Sequence, residues 1–226
     1  GWILWWEDIS EIMTFTEDLE NARKQLSEKN DLMKAELELR EKKLQVEEKN
    51  RLYDRMTEEV TEQLDQVERL LKKKDEKEEE NQLAHICVLS AYIKRRCNLA
   101  LLAENSALLQ AKELSYCLKE SAEMMQLYGT MVSMDSSCQG ETKAEYLIAV
   151  YDTFEQLIEQ ILDQTDAMLL NVHVLNNQIC MKIQINLENA WNIPEWNYWY
   201  AVGGSVNIRQ LEKTWYLEFT MKSDLV

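Results

Sequence analysis

The stretch Tyr146–Leu162, YLIAVYDTFEQLIEQIL, decides the fold class. Tyr146, Leu147, Val150, Tyr151, Phe154, Leu157, Ile158, Ile161 and Leu162 recur at helical spacing. A stripe that broad belongs to a helix buried along one whole face. Downstream, Met168–Leu175 and Gln178–Leu187 read as two strands around Asn176-Asn177, a hairpin signal. The aromatic block Trp191–Tyr200 holds the one proline, Pro194, and predicts irregular chain or a short helix. Its rings suit either a cage for a cation or, the reading preferred here, a packed cap on the sheet. Val206–Gln210 and Thr214–Met221 form a second hairpin. Residues 144–226 therefore predict a small α+β domain with one long helix and about four strands.

Upstream, Gly129–Thr142 holds two glycines and the run Ser-Ser-Cys-Gln-Gly, and 129–143 reads as a linker. The 127 residues Trp2–Tyr128 contain neither glycine nor proline, which excludes an all-β protein and predicts long helices. Gly1–Trp6 is apolar and aromatic and reads as a strand, with Asp8 and Ser10 as N-caps of the next element. From there Ile12, Phe15, Leu19, Ala22, Leu26, Met33 and Leu37 make a narrow seam. It weakens between Arg40 and Asn50 and resumes at Tyr53, Met56, Val60, Leu64, Val67 and Leu71. So narrow a seam does not hold a lone helix, and parallel dimerisation is the economical reading. Lys72–Glu80 is a charge run, a solvated helix end or loop. A more apolar helix spans Leu83–Leu102, and after a turn at Glu104-Asn105-Ser106 a third helical run covers Ala107–Tyr128. These predict a helical hairpin in a four-helix dimer core.

The net charge of −16 argues against a nucleic-acid partner, whose phosphates reward clustered lysine and arginine. Five scattered cysteines without a CxxC pair fit free thiols in the cytoplasm, and the spacing offers no metal site. No apolar run approaches the ~18 residues of a membrane span, so no membrane contact is expected within this segment. The opening Gly-Trp-Ile-Leu-Trp-Trp lacks a cationic start, does not read as a signal peptide, and suggests that the chain continues upstream.

Three patterns in this order resemble the cytoplasmic part of a bacterial sensor histidine kinase. Trp6-Glu7-Asp8-Ile9-Ser10-Glu11 is similar to the junction where a PAS-type sensor passes into a signalling helix. Glu47-Glu48-Lys49-Asn50-Arg51-Leu52-Tyr53-Asp54-Arg55-Met56-Thr57-Glu58 is similar to the start of the dimerisation helix in kinases that pair with helix-turn-helix response regulators. Phe154-Glu155-Gln156-Leu157-Ile158-Glu159-Gln160-Ile161-Leu162 resembles the helix of the GHKL ATPase fold that bears its magnesium-binding Asn. The resemblance implies a chain that is mainly α plus α+β: a long dimeric coiled coil and helical hairpin, then a small α/β sandwich. It divides the chain into the end of a sensor (1–11), a signalling coiled coil (12–46), a helical dimerisation domain (47–128), the linker, and an ATPase-like domain (144–226). It implies ATP and magnesium as cofactors, and as partners a second copy, an upstream sensor in the same chain, and a response regulator or partner kinase. The location implied is cytoplasmic, tethered to the membrane through segments upstream.

The departures bear on activity. Thr57 and Glu58 stand where the phosphoacceptor His and its Asp belong, and a threonine hydroxyl is a far weaker nucleophile than imidazole. Glu159 and Gln160 mark the nucleotide pocket, with Gln160 one methylene longer than the family Asn. Ile185-Asn186-Leu187-Glu188-Asn189 stands in place of an Asp followed by Gly-x-Gly, and Gly203-Gly204 is the only glycine pair. Without glycines a backbone does not approach phosphates closely. No catalytic residue is assigned. His85 reads as a hairpin-packing residue or as a displaced phosphoacceptor, and His173 as structural. Lys94-Arg95-Arg96 reads equally as a binding patch and as salt bridges to the Glu-rich first helix. The expectation is a histidine kinase-like signalling module of a two-component system, a pseudokinase acting by contact or one keeping weak ATP binding. The alternative is a structural coiled-coil adaptor with an α+β binding module and no nucleotide.

Overall fold

The computed structural model describes residues 1–3, 8, 10–72, 79–175, 178–187 and 191–222. Chain contacts divide the protein into two units, 1–55 and 56–226. Residues 4–7 and 9 lie outside the described residues, and with them the strand read over Gly1–Trp6 and most of the Trp6–Glu11 junction. The same holds for most of the charge run 72–80, for Asn176-Asn177, and for Glu188-Asn189.

Helix α1, Ser10–Glu59, begins where Asp8 Oδ1 accepts the Ser10 backbone N–H at 3.1 Å and the Ser10 hydroxyl at 2.6 Å. That anchors the first turn as the sequence predicts. In the single chain Ile12, Phe15, Leu19, Leu26, Met33 and Leu37 all lie open, at 55–68% exposure. The weak part of the seam, Arg40–Asn50, leaves no gap in the helix.

In the second unit, α1 ends at Glu59 and α2, Thr61–Lys72, begins one residue later. The break at Val60 has a local cause. The Thr57 carbonyl accepts both the Val60 N–H at 3.2 Å and the Thr61 hydroxyl at 2.7 Å, a side-chain bond that bends helices. Helix α3, Glu79–Asn105, packs on α2, on α4 (Lys112–Tyr128) and on α5 (Ala144–Ile161).

The sheet has the order β2-β4-β5-β7-β6. Its strands are β2 (Met131–Cys138), β4 (Thr165–Leu175), β5 (Gln178–Leu187), β6 (Ser205–Leu211) and β7 (Thr214–Lys222). Strand β2 runs parallel to β4, and the other pairs are antiparallel. Alternation sets the face: Leu170, Val172, Ile183, Leu217 and Phe219 point into one core with α4 and α5, and their neighbours along the strands do not. A small second sheet pairs β1, Leu108–Gln110, with β3, Glu141–Lys143.

One expectation is corrected. The stretch 129–143 is no linker, because it supplies the edge strand β2 and the short β3. The run from Ala107 packs on α3, its neighbour in the sequence. It opens with β1, and α4 buries Leu114, Cys117, Leu118, Ala122 and Met125 in the core of the α+β layer.

The aromatic block behaves as packed rings. Trp191, Trp196 and Trp199 are buried, and Tyr198 and Tyr200 of α6 (Asn197–Ala201) are about half exposed. Edge-to-face contacts link Trp191 to Trp215 at 5.3 Å, Trp196 to Phe219 at 5.0 Å and Trp199 to Phe219 at 5.5 Å. The glycine pair serves this packing. Gly203 holds a left-handed φ of 77°, and a Cβ built on Gly204 falls inside the Trp199 indole. Gly204→Ala is expected to lower the unfolding free energy by about 1–3 kcal/mol, read as a lower denaturant midpoint at unchanged slope.

Candidate functional site

Helix α5 carries Asp152, Glu155 and Glu159 one turn apart on the edge of its apolar stripe, so folding draws them in with it. They open onto a cavity of about 560 Å³. The facing wall comes from Glu58, Glu59, Glu62 and Gln63, where α1 gives way to α2, and from Tyr92 and Arg96 of α3. Tyr198 closes one side.

The polar groups are unevenly satisfied. Arg96 bridges two carboxylates, Nε to Asp152 Oδ1 at 2.8 Å and Nη1 to Glu59 Oε2 at 2.8 Å. The Tyr92 hydroxyl donates to the same Asp152 oxygen at 2.9 Å. Burial works against the Arg96 charge, but the Asp152 and Glu59 carboxylates hold its pKa above the usual value. Burial pushes the Asp152 carboxyl upward, opposed by Arg96 and the Tyr92 hydrogen bond. The Tyr92 phenol is held protonated by burial and by Asp152. Gln63 Nε2 donates to Glu159 Oε1 at 2.8 Å, which offsets part of the upward push that burial gives Glu159.

Glu155 is different. It is 2% exposed, and neither carboxyl oxygen has a hydrogen-bond partner among the described residues. Burial, then the Glu159 and Asp152 charges, raise its pKa well above the ordinary carboxylate value. A carboxyl raised in the folded state contributes stability that is full at low pH and lost as pH rises through its folded pKa. The protein is therefore expected to grow more stable as pH falls from about 8 toward 5. Glu155→Gln should flatten that slope by up to about 1.4 kcal/mol per pH unit in denaturant titrations.

The structure brings together two of the sites marked in the sequence. Glu58, beside Thr57, lines the same cavity as Glu159 and Gln160. The Thr57 side chain is exposed, and its carbonyl is engaged at the helix break. Gln160 is committed to the aromatic block, since Trp191 Nε1 donates to its Oε1 at 3.1 Å. Gln156 Nε2 donates to the Glu195 carbonyl of the same block at 3.1 Å. His85 does not line the cavity; it is half-buried and packs edge-on against Tyr128 at 6.1 Å. His173 is exposed on β4. The basic triplet forms ion pairs, Lys94 and Arg95 with Glu120 of α4 and Arg96 as above. Among the described residues no group of three or more acids, histidines or cysteines is placed to hold a metal ion. Asp152 and Glu155 were not singled out in the sequence. The signal was there: two acids where the apolar stripe of α5 narrows, at the spacing that leads to Glu159.

No known family pattern and no curated protein matches the chain. Solved structures similar to it include the histidine kinase domain of the Erythrobacter litoralis EL346 blue-light activated histidine kinase. That similarity has 11% identity and a TM-score of 0.47 over 75% of this chain and 94% of that one. The Acinetobacter baumannii histidine kinase AdeS is 11% identical at a TM-score of 0.42, over 75% of this chain and 96% of that one. The catalytic domain of histidine kinase ThkA is 8% identical at a TM-score of 0.35, over 51% and 94%.

Proposed function

We propose that this chain is a histidine kinase-like signalling module of a two-component system that acts by dimerisation and partner contact rather than by phosphoryl transfer. One observation carries the reading: the Trp191 indole donates to Gln160, the residue that matches the family's magnesium-binding Asn. The aromatic block, which in this reading stands in for the family's glycine-rich lid, is tied to α5 by two hydrogen bonds, Trp191 to Gln160 and Gln156 to the Glu195 carbonyl. Thr57 and Glu58 at the phosphoacceptor position point the same way.

In this reading the exposed seam of α1 pairs with a second copy, and a monomer in sedimentation equilibrium would remove that step. An upstream sensor supplies the input, and the output goes to a response regulator or partner kinase in the cytoplasm. Among the described residues no helix is long and apolar enough to cross a membrane.

The test is calorimetry with magnesium–ATP and magnesium–ADP on wild type and Gln160→Ala. The expected result is no binding at millimolar nucleotide. Binding that Gln160→Ala weakens would restore a live pocket and sink the proposal. Phosphate incorporation that disappears in His85→Gln would overturn it too, by making His85 the displaced acceptor. If the chain neither binds nucleotide nor changes a partner kinase's output, the adaptor reading replaces it.

A further inference from the structure

The acid-lined cavity has a chemistry of its own, independent of the signalling reading. Its walls carry two facing rows of carboxylates. Glu155 and Glu159 lie one turn apart on α5, and Glu58 and Glu62 stand opposite across the α1–α2 break. Arg96 is the one cation among the lining residues, and it is spent on Asp152 and Glu59. Both oxygens of Glu155 and the Oε1 of Gln156 are buried without a partner among the described residues. Buried acceptors left unmatched are costly, so the cavity has a surplus of acceptors and a shortage of donors.

The occupant that repairs this carries positive charge and several N–H groups. The acids are spread along three helices, α1, α2 and α5, and among the described residues form no cluster able to hold a metal ion. That arrangement suits separated ammonium groups on one chain rather than a bare cation. Tyr92 and Tyr198 give the methylenes between them an apolar, aromatic wall. A volume of about 560 Å³ falls within the range of small-molecule sites.

We infer that this cavity binds a small linear aliphatic polyamine, with one ammonium on Glu155 and Glu159 and another on Glu58 and Glu62. The high pKa of unliganded Glu155 adds a signature, because a cation seated there displaces the carboxyl proton.

The probe is spermidine, titrated into the full chain by calorimetry in two buffers of different ionisation enthalpy at physiological salt. Binding of one molecule per chain is expected, with proton release and a raised melting temperature. Glu155→Gln should weaken it by about tenfold or more, the loss expected for one charge-assisted hydrogen bond. Glu62→Gln on the facing row should weaken it as well, and this exposed position keeps the test decisive if the buried variant folds poorly. The charge-matched change Glu123→Gln, exposed on α4, should leave it unaltered. Absence of binding overturns the inference. So does binding equal in all variants, which is diffuse attraction to a chain of charge −16. Magnesium producing the same Glu155-dependent shift would replace the polyamine with a metal ion. Tighter Glu155-dependent binding of a dilysine peptide would replace it with a partner's side chains.

Discussion

Arg96→Met is expected to destabilise the protein by about 3–5 kcal/mol, because it strands a buried carboxylate rather than merely deleting a contact. Asp152 lies in the core at 7% exposure, and its oxygen is held by the Arg96 guanidinium and the Tyr92 hydroxyl. Without Arg96 the hydroxyl remains, but nothing neutralises the charge. The Asp152 carboxyl, already pushed upward by burial, would then rise further. Such a group restores stability as pH falls, so the deficit should be larger near pH 8 than near pH 5. The second variant that isolates the cause is Arg96→Met with Asp152→Leu. Removing both charges should recover most of the loss, since apolar replacement of a buried pair is often neutral. A double variant no better than the single one would mean that the methionine disturbs packing, and the electrostatic account would be wrong.

Trp199→Ala should cost a similar amount, about 3–5 kcal/mol, by a different route. Its side chain is 0% exposed, its ring meets Phe219 at 5.5 Å, and its indole N–H donates to the Ser205 carbonyl at 3.1 Å. Truncation leaves a void between α6 and β7 and an unpaired carbonyl at the start of β6. Trp2→Ala is the built-in comparison, since Trp2 is fully exposed and should be silent in the same denaturant titration. If Trp199→Ala unfolds within about 1 kcal/mol of wild type, well below the cavity range, the rings are not the structural cap described above.

Much of this architecture was legible in the sequence, and the reasons are specific. The stripe of α5 and the alternation of β4, β5 and β7 are strong because each buries a whole face in one core. Strand β2, MVSMDSSC, is an edge strand whose residues are mostly exposed, so nothing obliges it to alternate, and its serines read as loop. Strands β1 and β3 are three residues long and carry no period at all. Helix α4 is legible as a helix packed on α3, but the sheet it also covers is not, because an apolar stripe does not say which surfaces will cover it. The cavity was half legible. Glu159 and Gln160 stand out through one resemblance, and Glu58 through another. Glu155 went unremarked because burial of a carboxylate is decided by tertiary packing, which no local pattern encodes.

The order of the sheet also bears on how the domain assembles. Strands β4 and β5 are neighbours in sequence and in space, as are β6 and β7, so each pair closes over a short span of chain. Strand β2 joins β4 only after β3 and the whole of α5 have crossed between them. Closing that parallel edge costs the most chain entropy and is rewarded only when α5 is already seated. The nascent domain would thus carry an unpaired β4 edge until its last steps, the interval in which it is most open to pairing with the wrong chain.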